Sequence, residues 1–154
     1  MNAAQTLRTT SANPHFRTLV TQLDAELRLM YADLMDTYDQ HNIIEHNDTV
    51  VIAYADSLPV GCGCFKPFDN EAVEVKRMFV HPDVRGRGIS KLILGDLEAW
   101  ARELGFTYTV LETGLKNSDA HHLYRKTGYV DIPGFGPYID LEESICMRKS
   151  LNHD

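Results

Sequence analysis

Val80-His81-Pro82-Asp83-Val84-Arg85-Gly86-Arg87-Gly88-Ile89-Ser90 reads as the end of a strand, a tight turn and the first residues of a helix. Gly86 and Gly88 let the backbone turn sharply and approach a ligand with no Cβ atom in the way. A helix N-terminus adds unpaired amides and a partial positive charge worth about 0.3–1 kcal/mol per nearby anion, and Arg85 and Arg87 add full charges. Phosphate is the natural guest. The plainer alternative, two glycines that merely cap a helix, is weakened by the paired arginines in the same turn. Neither a P-loop, which needs Gly-Lys-Ser/Thr after its first glycine, nor a dinucleotide fingerprint with a third glycine is present.

Upstream of the turn, Phe16, Leu19, Val20, Leu23, Leu27 and Met30 recur at helical spacing after Asn13-Pro14, and a weaker helix is expected over residues 33–42. Residues 49–55 and 60–66 read as strands joined by Asp56-Ser57-Leu58-Pro59, and residues 72–80 as a third antiparallel strand. Downstream, Ile89, Leu92, Ile93, Leu97, Trp100, Ala101 and Leu104 form one face of a long helix that Gly105 stops. A strand over residues 107–112, a helix over 118–126 ending at Gly128, a strand over 129–132, a Gly/Pro loop over 133–137 and a strand over 144–149 complete the chain. With no internal repeat or linker, one mixed α/β domain over residues 1–154 is expected.

The 154 residues carry 15 basic and 22 acidic side chains, a net charge of −7 that disfavours a nucleic-acid partner and favours a cationic substrate. No apolar run is long enough to span a bilayer and residues 1–11 lack a signal peptide's apolar stretch, so no membrane partner and a cytoplasmic location are expected. Cys62, Cys64 and Cys146 are an odd set that reads as free core thiols. A lone Cys-x-Cys lacks the further ligands of a metal site, so no metal is expected.

The segment from Val80 to Ile89 resembles the strand-turn-helix signature of the GNAT superfamily of acyl-CoA-dependent N-acetyltransferases, Arg/Gln-x-x-Gly-x-Gly/Ala. Arg85 and Gly88 supply its first and fourth positions, and Ser90 stands at the sixth, where the family usually has Gly or Ala. Asn117, Ala120, Leu123, Tyr124 and Gly128-Tyr129 resemble a second family segment in the right order. The resemblance covers residues 49–149 and implies an α/β (α+β) GNAT fold: a splayed, mostly antiparallel mixed sheet of six to seven strands flanked by about four helices.

It also implies acetyl-CoA as co-substrate. The amides of Arg85, Gly86, Arg87, Gly88, Ile89 and Ser90 would hold the pyrophosphate, the backbone of Phe79 and Val80 would pair with the pantetheine arm, and Asn117 and Tyr124 would contact CoA. A backbone N–H near residues 78–80 would stabilise the oxyanion formed when a neutral amine attacks the thioester. Tyr124 stands where the family commonly places the acid that protonates the leaving thiolate; the alternative is a packing aromatic on an amphipathic helix. Glu74 is the first candidate base, by its resemblance to the glutamate of the histone-acetylating branch, and alternation puts Glu74, Lys76, Met78 and Val80 on one face. An ordinary cross-strand pairing explains Glu74 equally well, and Glu112 or a water chain is the other route for the proton.

His81 reads as a turn residue, His121 and His122 as decoration of an exposed helix face, and Gly134-Phe135-Gly136-Pro137-Tyr138 as either an acceptor lid or a surface loop. Together these readings describe an N-acetyltransferase acting on the amine of a small molecule or a protein, with a homodimer left open. The alternatives are a non-catalytic acyl-CoA sensor and a structural module of the same fold.

Overall fold

A computed structural model describes residues 3–30, 45–115, 117–139 and 144–152. Contacts group the chain into two compact units, one drawn from residues 1–64 and 77–97 and the other from residues 65–76 and 98–154.

In the first unit the strand order is β1 (Gln5–Thr9), β2 (Val50–Ala55), β3 (Leu58–Pro67), then the end of β4 (Ala72–Val80). Asp56 and Ser57 both have positive φ, 51° and 67°, the backbone of a tight two-residue hairpin that joins β2 to β3. Helix α1 (Pro14–Met30) starts with a proline, and the Asn13 carboxamide accepts the His15 amide at 2.9 Å. Its stripe Phe16, Leu19, Val20 and Leu23 is buried against Val50, Ile52, Cys62, Cys64 and Phe79, which is what the helical spacing demanded. β1 escaped the sequence reading because Thr6, Leu7, Arg8 and Thr9 carry no buried alternation. The strand exists through backbone pairing to β2, from Gln5↔Tyr54 to Thr9↔Val50.

In the second unit the order is β3, β4, β5 (Tyr108–Gly114), β7 (Ser144–Ser150), β6 (Val130–Ile132). β4 and β5 are parallel over a short ladder from Ala72↔Tyr108 to Val75↔Leu111, while β5, β7 and β6 are antiparallel. Helix α3 (Ser118–Lys126) has the bounds the spacing predicted. Under the sheet, the buried Glu98 carboxylate takes the Lys149 ammonium at 2.8 Å and the Tyr129 hydroxyl at 2.9 Å, which satisfies a charge that would otherwise be costly to bury.

Helix α2 (Ile89–Glu103) follows the turn. Ile89, Ile93, Leu94, Leu97 and Ala101 are buried, but Leu92 and Leu104 are 41% and 55% exposed, so the apolar stripe is narrower than expected and rotated toward Leu94. The described residues contain three helices; the helix expected over residues 33–42 lies outside them. None of the described helices is long and apolar enough to cross a membrane.

Candidate active site

The turn in the first unit is built as its glycines require. A 3₁₀ segment, Pro82–Val84, is capped by His81, whose Nδ1 accepts the Asp83 amide at 3.2 Å, so His81 is a turn residue as expected. Gly86 and Gly88 then adopt φ of 80° and 78°, a region costing any other L-residue about 1–2 kcal/mol. A Cβ added to either glycine would meet no atom within 4 Å, which leaves open space in front of the backbone for a ligand. The Leu92 amide bonds the Gly88 carbonyl at 3.0 Å, so the amides just before Leu92 belong to the unladdered first turn of α2.

The Arg85 side chain has partners within the first unit. Its Nε donates to the Val80 carbonyl at 2.9 Å, and its Nη2 pairs with Glu26 of α1. The guanidinium also lies 5.7 Å from the Phe79 ring centroid. It therefore braces the turn against β4 and α1.

One residue on β4 breaks the expected alternation. Arg77 has φ of 60°, and this left-handed kink means that the face carrying Glu74 and Lys76 does not continue to Met78 and Val80. The four-residue face inferred from period-two alternation is thus incorrect. Met78 lies against Gly63, and Phe79 joins the core beneath α1. The Arg77 side chain pairs with Asp24 at 3.1 Å and is 6% exposed.

The second unit collects the candidate acid and bases. Glu74 is buried and accepts the Tyr138 hydroxyl at 3.0 Å, and the Lys76 Nζ approaches the same hydroxyl at 3.5 Å. Glu112 accepts the Ser144 hydroxyl at 2.6 Å. Burial pushes the Glu112 carboxyl above the ordinary range; Ser144 lowers it, Glu74 raises it and Lys76 lowers it. Tyr124 is buried with its ring edge-on to Tyr129 at 5.6 Å. Burial first, and the charge of Glu112 second, push its phenol well above the ordinary value. Its hydroxyl has no hydrogen-bond partner among the described residues. Asn117 caps α3, its Oδ1 accepting the Ala120 amide at 3.3 Å.

His121 is not exposed decoration. It is buried, and its Nε2 lies 2.7 Å from the Gly114 carbonyl, tying α3 to the end of β5. His122 is exposed as expected. Tyr138, read from the sequence only as part of a lid or surface loop, is the hydrogen-bond partner of Glu74. The only hint of it was an aromatic in a Gly/Pro-rich stretch, where periodicity cannot assign a direction. Cys62, Cys64 and Cys146 are free and buried. Burial raises the Cys62 thiol, Cys64 raises it further and Arg77 opposes them.

The sequence model of the Acetyltransferase (GNAT) family matches residues 16–129. An IAA acetyltransferase of Azospirillum brasilense is 35% identical over 136 residues, covering 86% of this chain and 88% of that protein. Among solved structures, a Klebsiella pneumoniae protein assigned as an acyl-CoA N-acyltransferase superposes with a TM-score of 0.80 at 25% identity, over 97% of this chain and 98% of that one. PaiA N-acetyltransferase of Thermoplasma acidophilum, solved with coenzyme A, shares the fold with a TM-score of 0.71 at 17% identity, over 97% of this chain and 99% of that one. The chain belongs to the acetyltransferase (GNAT) family and is an acetyl-CoA-dependent N-acetyltransferase.

Proposed function

We propose that the chain acts as one domain that moves the acetyl group of acetyl-CoA to a primary amine by direct attack in a ternary complex. The observation that carries this reading is Tyr124: a buried side chain whose hydroxyl is protonated at neutral pH and within electrostatic reach of Glu112. The amides from Arg85 to Ser90 bind the CoA pyrophosphate, with Gly86 and Gly88 supplying the backbone shape. Phe79 and Val80 pair with pantetheine, although the Val80 carbonyl already serves Arg85.

The amine nitrogen bonds to the thioester carbon, an N–H of the backbone near residues 78–80 stabilises the oxyanion, and collapse breaks the C–S bond. Glu74 takes the ammonium proton, directly or through water, with Glu112 as the second candidate. Tyr124 donates its hydrogen to the departing sulfur. Because its phenol resists ionisation, it first hydrogen-bonds the departing sulfur; as its proton passes to sulfur, the second proton lost by the nitrogen on collapse restores the phenol through water. Three free cysteines fit a reducing, cytoplasmic setting for this reaction.

Thiol release from acetyl-CoA with a panel of primary amines tests the assignment. Tyr124→Phe is expected to lower turnover about 10²-fold while CoA affinity stays level, the size of effect typical of lost proton donation. Unchanged turnover would remove Tyr124 from the mechanism.

A further inference from the structure

Arg77 carries a charge that the acetyl-transfer chemistry leaves unused. Its side chain is 6% exposed, and an arginine stays protonated even when buried. One arm of the fork, Nη1, donates to Asp24 Oδ1 at 3.1 Å. The other arm, Nη2, is enclosed and has no hydrogen-bond partner among the described residues. The neighbouring Cys62 thiol bonds the Arg77 carbonyl at 3.4 Å and offers the guanidinium no anion. A buried donor left unmade costs about 1–3 kcal/mol, and more when charged, so a second acceptor is the expected completion of this group.

The place of that vacancy indicates what fills it. Asp24 is 29% exposed, so the ion pair runs from the enclosed guanidinium to a partly exposed carboxylate on α1. Arg77 directly precedes Met78, Phe79 and Val80, the strand end to which the proposed function assigns the thioester and its oxyanion. Its backbone, held at φ of 60°, sends the side chain out of the strand's regular alternation toward α1. An arginine fork with one free arm suits a planar oxyanion.

We propose that Arg77 binds a carboxylate of the acceptor, so that the amine substrate is a zwitterion such as an α-amino acid, and not a simple cation. The inference rests on the amine-acetylation reading above and narrows its substrate class. Asp24 shares the guanidinium with the incoming carboxylate and limits how tightly it is held.

The test uses matched acceptors, α-amino acids and their carboxamides, with acetyl-CoA and the full chain, scored as the acid-to-amide ratio of kcat/KM. Arg77→Gln is expected to lower that ratio roughly 10- to 100-fold through KM for the acid, the ratio cancelling any loss common to both acceptors, as loss of a charged hydrogen bond requires. Asp24→Asn, at a partly exposed position, is expected to move the ratio several-fold the other way. A ratio that stays constant in Asp24→Asn and in folded Arg77→Gln overturns the proposal, as does wild-type enzyme that acetylates carboxamides and ignores the acids. In that last case the amine-acetylation reading stands. If acetyl-CoA binds and no amine of either series is acetylated, that reading fails first and this one with it.

Discussion

Glu112 shows what a single buried carboxyl costs and supplies. Burial holds its proton to a higher pH in the folded chain than in the unfolded one, with Ser144 opposing the effect. Below the ordinary carboxyl range both states bind the proton and no penalty arises. As pH rises, the unfolded state releases it first, so stability falls until the raised folded value is passed. Glu112→Gln, which can still accept from Ser144, is therefore expected to raise Tm at pH 7.5 and leave it unchanged at pH 4. The gain is roughly 3–5 °C for every pH unit by which titration is displaced. Thermal melts at the two pH values check this; a variant less stable at pH 7.5 would show that the Ser144 bond outweighs burial. At this scale the chain was legible where a residue's neighbours are near in sequence. Asn117 was readable as a cap because its partner is three residues on, whereas Tyr138 and Glu74 are 64 apart and meet only through folding.

At the scale of elements, the turn into α2 depends on backbone shape more than on arginine charge. Arg85 is committed to Val80 and Glu26, while Gly86 and Gly88 hold left-handed conformations. Gly88→Ala is expected to weaken acetyl-CoA binding about tenfold or more, since the space is open and the penalty comes from φ alone. Calorimetric titration with CoA checks it, and unchanged affinity would mean that the phosphate is held elsewhere. Helix bounds were readable because apolar spacing and caps are local. Which apolar residues of α2 face inward was not, since Leu92 and Leu94 both fit a broad helical stripe. β1 lacked any signal because an edge strand can be stabilised by backbone pairing while its side chains stay wet.

For the whole molecule, the glycine turn and Arg77 belong to the first unit, and Glu74, Glu112 and Tyr124 to the second. A ligand that binds the folded state alone stabilises it by mass action, about 2.7 kcal/mol at a hundred times its Kd. Acetyl-CoA at that excess is expected to raise Tm by roughly 5–10 °C for a chain of this length. Differential scanning fluorimetry reads the shift, and its absence would remove the co-substrate from this fold's function.

The family, the described elements other than β1 and the glycine turn before α2 were already written in short stretches of chain, because glycine φ preferences, caps and apolar periods act over a few residues. The direction of β4's side chains was not. One left-handed residue, Arg77, resets the alternation, and nothing in the composition of residues 72–80 marks it. Likewise the partners of Glu74, Glu112 and Arg77 come from residues far along the chain, joined by packing that no local preference encodes.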